Sequence, residues 1–151
     1  MCIKRYLLKL RSINIDHKNI KLDIVEKVNL STIDLFCNEN KIDKINLLKI
    51  DVEGHESQVI TGGRETILKS KPMLLVEIEK RHLTHLSMEA IFRQILELGY
   101  TGFFLKNGHR KSLSEFSYEL HQEPFLERSN HLGIRKEFQT CYINNFIFEP
   151  K

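Results

Sequence analysis

Residues 45–79 read INLLKIDVEGHESQVITGGRETILKSKPMLLVEIE. Two short apolar runs, Ile45–Val52 and Met73–Ile78, flank a segment of helical character that is interrupted at Gly62-Gly63 and ended by Pro72. This pattern is typical of a βαβ unit with parallel strands. In such sheets, ligands bind beyond the carboxyl ends of the strands. The stretch therefore predicts functional residues where its two apolar runs end.

Three acidic residues, Asp51, Glu53 and Glu77, fall at those ends. In an extended run Lys49, Asp51 and Glu53 alternate, so they are predicted to project from one face. Burying such charges costs solvation energy, which favours a site for proton abstraction, cation pairing or metal coordination. In the alternative interpretation, Lys49 and Asp51 neutralise each other and Glu53 begins a turn.

Histidines add two weaker hypotheses. His55 follows Gly54 at the start of the predicted helix and is a candidate base at neutral pH, or simply an exposed side chain. His82 and His85 form an H-x-x-H pair, but no carboxylate or cysteine completes a site at ligand spacing, so no metal is predicted there. A carboxylate-based metal site at Asp51, Glu53 and His55 is the remaining alternative.

The bulk properties describe an ordinary soluble domain. The chain has 151 residues, 41% of them hydrophobic, and a net charge of +3, which does not favour nucleic-acid binding. Its three cysteines form no C-x-x-C pair and are predicted to be reduced thiols. The charged N-terminus does not resemble a signal peptide, and no apolar run is long enough for a membrane span, so a cytoplasmic protein without membrane partners is predicted.

The remaining sequence predicts alternating strands and helices. Alternation at residues 20–25 predicts a strand that extends toward Leu30, and Ser31 or Thr32 is predicted to cap a helix ending near Glu39. Between the two apolar runs, helices are predicted from Glu56 and over Arg64–Leu68, with a left-handed glycine at Gly62 or Gly63.

Further along, an N-cap at Ser87 and a stop at Gly99 bound the clearest helix. A strand over Tyr100–Leu105 is predicted to turn at Asn107-Gly108. Residues 107–140 are polar and irregular apart from a capping box at Ser112 and Glu115. The chain closes on a predicted strand at Cys141–Phe148.

Five segments of this sequence resemble a known protein family. The segments LLKIDVEGHESQVITGG (47–63) and KPMLLVEIE (71–79) look like the central signature of the FkbM-type methyltransferases, which transfer a methyl group from S-adenosylmethionine to hydroxyl oxygens of sugars or secondary metabolites. VNLSTIDLF (28–36), ELGYTGFFL (97–105) and NNFIFEP (144–150) are also similar to the family. The resemblance covers about residues 24–150.

The resemblance implies an α/β fold, a truncated class I (Rossmann-like) methyltransferase sheet that is mostly parallel with an antiparallel C-terminal strand. The family's strand order is 3-2-1-4-5-7-6. Residues 24–151 would hold strands three to seven of a single partial domain, with residues 1–23 unassigned. Ile24–Leu30 would be strand three, and Ile45–Val52 and Met73–Glu79 would be strands four and five.

By the same resemblance, Asp51 lies beside both the methyl donor and the acceptor hydroxyl. It is the first candidate for the base or substrate-orienting residue and for contact with S-adenosylmethionine, followed by Glu53 and then Glu77. The implied partner is a small-molecule or glycan hydroxyl acceptor.

The sequence departs from the family where the cofactor binds. Enzymes of this class use a glycine-rich turn after strand one, but this sequence contains no Gly-x-Gly and its first glycine is Gly54. We therefore expect part of Ile13–Leu30 to hydrogen-bond directly to Ile45–Val52, because an unpaired central strand promotes aggregation. A complementary N-terminal half or a second copy of the chain is the other expected partner. The alternative function is an inactive remnant that acts as a binding module.

Overall fold

The computed structural model describes residues 6–13, 22–126 and 141–151. The strands are β1 (Tyr6–Ile13), β2 (Leu22–Asn29), β3 (Leu47–Ile50), β4 (Met73–Glu77), β5 (Tyr100–Lys106), β6 (His109–Ser112) and β7 (Asn145–Pro150). The helices are α1 (Ile33–Glu39), α2 (Glu56–Gly62), α3 (Arg64–Ser70), α4 (Met88–Glu97), α5 (Tyr118–His121) and α6 (Glu123–Leu126). The predictions made for residues 14–21 and 127–140 lie outside the described residues.

The main sheet has five strands in the order β3-β4-β7-β5-β6. Its first four strands reproduce the predicted order 4-5-7-6, and β6 adds a hairpin strand at the far edge. The prediction of a mostly parallel sheet is wrong. Among the described strands, only β3 and β4 pair in parallel, whereas β7 is antiparallel to both β4 and β5, and β6 is antiparallel to β5. The reason is that β7 inserts between β4 and β5, and the tight turn before β6 can join only antiparallel strands.

The two N-terminal strands form a separate sheet. β1 and β2 pair antiparallel over their full lengths, from Tyr6 opposite Asn29 to Ile13 opposite Leu22. The prediction that this region hydrogen-bonds to the strand at residues 45–52 is wrong for the described residues, because β3 has only β4 as a neighbour. A hairpin satisfies its backbone groups locally, without closing a long loop. Within the described chain, β3 is therefore an edge strand of the main sheet.

The hydrophobic core lies between the helices and one face of the main sheet. It comprises side chains from four strands and three helices that are at most 8% exposed, among them Ile50, Val76, Phe104, Phe146, Ile60, Ile67 and Ile95. Three edge-to-face ring contacts join α4, β5 and the loop after β6 to β7 (Phe92–Phe146, Phe104–Phe146 and Phe116–Phe146). On the other face of the sheet, Leu47 and Met73 remain 58% and 41% exposed.

Local sequence signals placed most of the helix ends and turns correctly. Thr32 and Ser87 cap α1 and α4 by accepting hydrogen bonds from the backbone N–H of Leu35 and Ala90. The predicted turn at Asn107-Gly108 is confirmed, with φ of 52° and 77°. These features depend only on residues close together in the chain.

The prediction of a left-handed glycine at Gly62 or Gly63 is wrong. Gly63 has φ of −112°, and the left-handed residue after α3 is Lys71, with φ of 48°. The two glycines instead permit a close approach of α1, since a Cβ on Gly62 would lie 3.2 Å from the Thr32 side chain and one on Gly63 would lie 3.0 Å from Ile33. The glycine pair and the Thr32-Ile33 pair therefore form one packing contact.

Asp34 connects α1 to the start of α3. Its carboxylate accepts hydrogen bonds from the backbone N–H of Glu65 at 3.1 Å and of Thr66 at 2.8 Å. It thus supplies the N-terminal cap that Gly63, the residue preceding α3, cannot provide. Although Asp34 belongs to the segment that carried the family resemblance, its role here is structural.

We expect Asp34→Ala to lower the free energy of unfolding by about 1–2 kcal/mol, because two helix N–H groups lose a charged acceptor. Urea denaturation measures this. The control is Asp43→Ala, which removes a 91% exposed carboxylate that forms an ion pair of 3.6 Å with Lys69. It should cost less than about 0.5 kcal/mol. Equal losses in the two variants would contradict the capping role.

The segment after β6 packs over the carboxyl end of β4 and the start of β7. The predicted capping box at Ser112 and Glu115 is confirmed, at a short 3-10 helix. Gln122, 1% exposed, donates to the backbone carbonyls of Ile78 at 2.8 Å and Ile143 at 2.9 Å, and accepts from the N–H of Lys80 at 3.0 Å. This one amide therefore joins the ends of two neighbouring strands.

Candidate active site

The turn after β3 carries two of the three predicted acids. Asp51 lies at the end of the strand, and its Oδ2 is 3.0 Å from Lys49 Nζ, with the two side chains 41% and 56% exposed. This contact confirms that they share a face and raises the pKa of Lys49, first through the hydrogen bond and then through the charge of Asp51. Glu53 does not continue the alternation, because its φ of 49° ends the extended backbone. The prediction that all three residues project from one face is therefore wrong for Glu53.

Gly54 is the residue that makes this turn possible. Its φ is +93°, and a Cβ at this position would collide with the backbone carbonyl oxygen of His82. Its N–H donates to Glu56 Oε1 at 2.9 Å, and the Glu56 side chain is 2% exposed. The loop that carries Asp51 and Glu53 is thus fixed by two contacts of Gly54, one with the buried Glu56 carboxylate and one with the backbone of the segment after β4.

Glu77, the third predicted acid, ends β4 next to Asp51. The register of the parallel pair places Ile50 opposite Val76, so the following residues, Asp51 and Glu77, lie at the same level. Glu77 is half-buried, and its Oε1 accepts a hydrogen bond of 2.8 Å from Asn144 Nδ2. Burial raises the pKa of Glu77, as do the negative charges of Asp51 and Glu79. The structure therefore brings Asp51 and Glu77 together as predicted.

Glu79 is a neighbouring carboxylate with the opposite behaviour. It is 6% exposed, and its burial alone would raise its pKa. Hydrogen bonds from Tyr142 and Asn144, together with the charge of Arg81, outweigh burial and hold the pKa of Glu79 below its ordinary value. Arg81 Nε contacts Glu79 Oε2 directly. The site thus contains one carboxylate that is stabilised as an anion and one that takes up a proton more readily.

Asn144, Arg81 and Tyr142 are the site residues to which sequence reasoning gave no role. Asn144 lies in the NNFIFEP segment that resembled the family, but nothing local indicated that its amide would meet acids some 65 residues earlier in the chain. The topology of the sheet could have indicated that Asn144 lies near these acids. A strand antiparallel to β4 must begin where β4 ends, so residues just before β7 belong to this edge.

The histidine and metal hypotheses receive little support. His55 is exposed at the N-cap position of α2, without a side-chain capping bond. Across residues 6–13, 22–126 and 141–151, no group of three or more His, Cys, Asp or Glu side chains could hold a metal ion. In the same part of the chain, no helix has the length and apolar character of a membrane span.

The cofactor that the family resemblance implies is S-adenosylmethionine. Asp51 and Glu77 supply negative charge suited to a sulfonium and an amino group. The described glycines include no Gly-x-Gly turn that could cradle the rest of the molecule, and Gly54, Gly62, Gly63 and Gly102 are closed off by protein atoms at the place where a Cβ would stand. The described residues of this edge therefore include carboxylates suited to the positive groups of the cofactor, but no glycine-rich turn.

The mixed five-stranded sheet, with α2 and α3 crossing between its parallel strands and carboxylates at their carboxyl ends, fits a Rossmann-like methyltransferase at a coarse level. Comparison with known families agrees. The Methyltransferase FkbM domain matches residues 9–101, more than half of the chain. The chain belongs to the FkbM methyltransferase family.

Among individual proteins, the chain is similar to the 2-O-methyltransferase NoeI of Sinorhizobium fredii (strain NBRC 101917 / NGR234). The two are 34% identical over 56 residues, which is 37% of this chain and 23% of NoeI. The matched segment thus spans less than a quarter of the length of that relative. No solved structure shows a significant match.

Proposed function

We propose that this chain takes part in the transfer of a methyl group from S-adenosylmethionine to a hydroxyl oxygen of a sugar-like or secondary-metabolite acceptor. Family membership supports the reaction class. The observation that carries the proposal is the pair formed by Asp51 and Glu77 at the carboxyl end of the parallel strands, where one carboxylate is neutralised by Lys49 and the other has a raised pKa. The name of the relative NoeI supports an oxygen acceptor.

S-adenosylmethionine supplies an electrophilic methyl group and a neutral leaving group, so the protein must provide positioning and a proton acceptor. We assign the proton acceptor to Glu77, because a carboxylate with a raised pKa is a better base near neutral pH than an ordinary one. Asp51, exposed and paired with Lys49, orients the acceptor hydroxyl through its carboxylate. Glu53 lies on the adjacent turn and remains a candidate contact for the acceptor.

Calorimetric titration of S-adenosylhomocysteine into the purified protein tests the cofactor part of the proposal. We expect binding with a Kd on the order of micromolar, about −8 kcal/mol, and transfer of a labelled methyl group from S-adenosylmethionine to members of a panel of sugars and polyhydroxylated compounds. Asp51→Asn should weaken the transfer, whereas Asp43→Asn, an exposed acid near α3, should leave both measurements unchanged. Absence of both heat and transfer in the folded protein would refute the proposal for this chain.

A second candidate is a binding module that does not catalyse transfer itself. The exposed edge of β3 favours it, since in the described chain this strand has a neighbour on one side only and Leu47 beside that edge is 58% exposed. A complementary chain that carries a glycine-rich cofactor motif, or a second copy of this chain, would pair with that edge. In this case S-adenosylhomocysteine would bind only after the partner is added.

A further inference from the structure

The amide of Asn144 occupies the junction between β4 and β7. Its backbone carbonyl accepts the N–H of Ile78 at 2.8 Å, which fixes the residue against the end of β4. Its side-chain Nδ2 lies 2.8 Å from Glu77 Oε1 and 3.1 Å from Glu79 Oε1. An amide nitrogen carries two N–H groups, so each carboxylate receives one of them.

The orientation of this amide follows from its neighbours. With the opposite orientation, the carbonyl oxygen would face two carboxylates and no donor, which is electrostatically unfavourable. In the observed orientation, Oδ1 accepts a hydrogen bond of 2.8 Å from Asn145 Nδ2. All three hydrogen bonds therefore select the same orientation of the amide group.

The two carboxylates that Asn144 joins are not equivalent. Glu79 is also held by Arg81 and Tyr142, so it remains an anion. Two neighbouring carboxylates repel each other, and Glu77 is the member with fewer donors. The strand register sets the level of Glu77 beside Asp51, and the amide of Asn144 holds the half-buried Glu77 carboxylate next to this fixed anion.

We propose that Asn144 is a positioning residue that holds the Glu77 carboxylate in place as the proton acceptor for an acceptor hydroxyl. It acts through Glu77 and does not itself touch the reacting atoms. The catalytic part of this inference depends on the proposed methyl transfer, whereas the control of Glu77 by Asn144 does not depend on any activity.

The test is a carboxyl-carbon NMR titration of Glu77 and Glu79 in the whole protein and in Asn144→Ala. Loss of one donor from each carboxylate should move both titration midpoints upward, by about half a pH unit. Asn145→Ala, which removes an exposed side chain and frees the amide of Asn144, should produce a smaller shift in the same direction. Gln94→Ala is the control, because it removes another half-buried amide whose bonds go to Ser57 and Thr61.

Midpoints that stay unchanged or fall in folded Asn144→Ala and Asn145→Ala would overturn the proposal. In the methyl-transfer assay, Asn144→Ala should lower kcat about tenfold with KM unchanged, and should move the acidic limb of the rate profile with the Glu77 midpoint. A protein that shows the NMR shifts but no transfer would refute the proposed function and leave the positioning of Glu77 intact. Transfer with an unshifted acidic limb would overturn the role of Asn144 alone.

Discussion

Glu77→Gln is expected to lower the rate of methyl transfer to a hydroxyl acceptor by about 10²- to 10⁴-fold, the usual contribution of a positioned general base. Glutamine preserves the size of the side chain and can still bond to Asn144, but it cannot accept the proton of the acceptor. Single-turnover transfer of a labelled methyl group measures this loss without interference from product release.

The pH profile gives an independent readout of the same residue. A base must be deprotonated to act, and burial together with the charges of Asp51 and Glu79 raises the pKa of Glu77 above its ordinary value. The rate should therefore fall as the pH drops through this raised pKa, at a higher pH than an ordinary glutamate would give. The low residual rate of Glu77→Gln should lack this acidic limb.

Glu149→Gln is the matched control. Glu149 is half-buried on β7, pairs with Arg110 at 2.6 Å and lies away from the candidate site. It should transfer methyl groups at nearly the wild-type rate. A Glu77→Gln protein that retains both its rate and its acidic limb would exclude Glu77 as the base.

Gly54→Ala is expected to have the largest effect on stability, a loss of about 3 kcal/mol or more in the free energy of unfolding. Two costs add together. The backbone conformation at φ +93° is unfavourable for any residue with a Cβ, and that Cβ would collide with the carbonyl oxygen of His82. Because the collision is with backbone rather than with a flexible side chain, the turn after β3 or the segment after β4 must move.

Gly108→Ala separates the two costs. Gly108 has φ of +77° but no atom within 4 Å of its Cβ position, so this variant carries only the conformational cost of about 1–2 kcal/mol. Urea denaturation of both variants measures the difference. If the two lose the same amount of stability, the close contact between Gly54 and His82 does not exist in solution.

Several elements could be predicted because their causes are local. The polar residues before α1 and α4 cap those helices, and Asn107-Gly108 forms a hairpin turn because both residues tolerate positive φ. The periodicity of residues 45–79 correctly predicted two parallel strands joined by helices. Asp51 and Glu77 were predicted to lie together for the same reason, since parallel neighbouring strands end at the same edge.

Other predictions failed where two interpretations satisfied the same local pattern. The Gly62-Gly63 pair is compatible both with a left-handed helix end and with the close approach of another helix. The packing of Thr32 and Ile33 against the two glycines decides for the second interpretation. The strand at Leu22–Asn29 was predicted correctly as a strand, but its partner was not, because an alternating pattern does not specify which strand pairs with it.

By itself, the sequence determined helices α1 to α4, the caps of α1 and α4, the turn at Asn107-Gly108, the parallel pair of strands and the two acids at its end. Each of these features depends on residues a few positions apart or on the periodic spacing of apolar residues, and both can be recognised without knowing the fold. The tertiary structure alone decided that Asp34 caps a helix 31 residues later, that His82 closes the space beside Gly54, and that Asn144 joins Glu77 to Glu79. These contacts arise because β7 inserts beside β4 and brings distant backbone and side chains to one edge, which no local preference encodes.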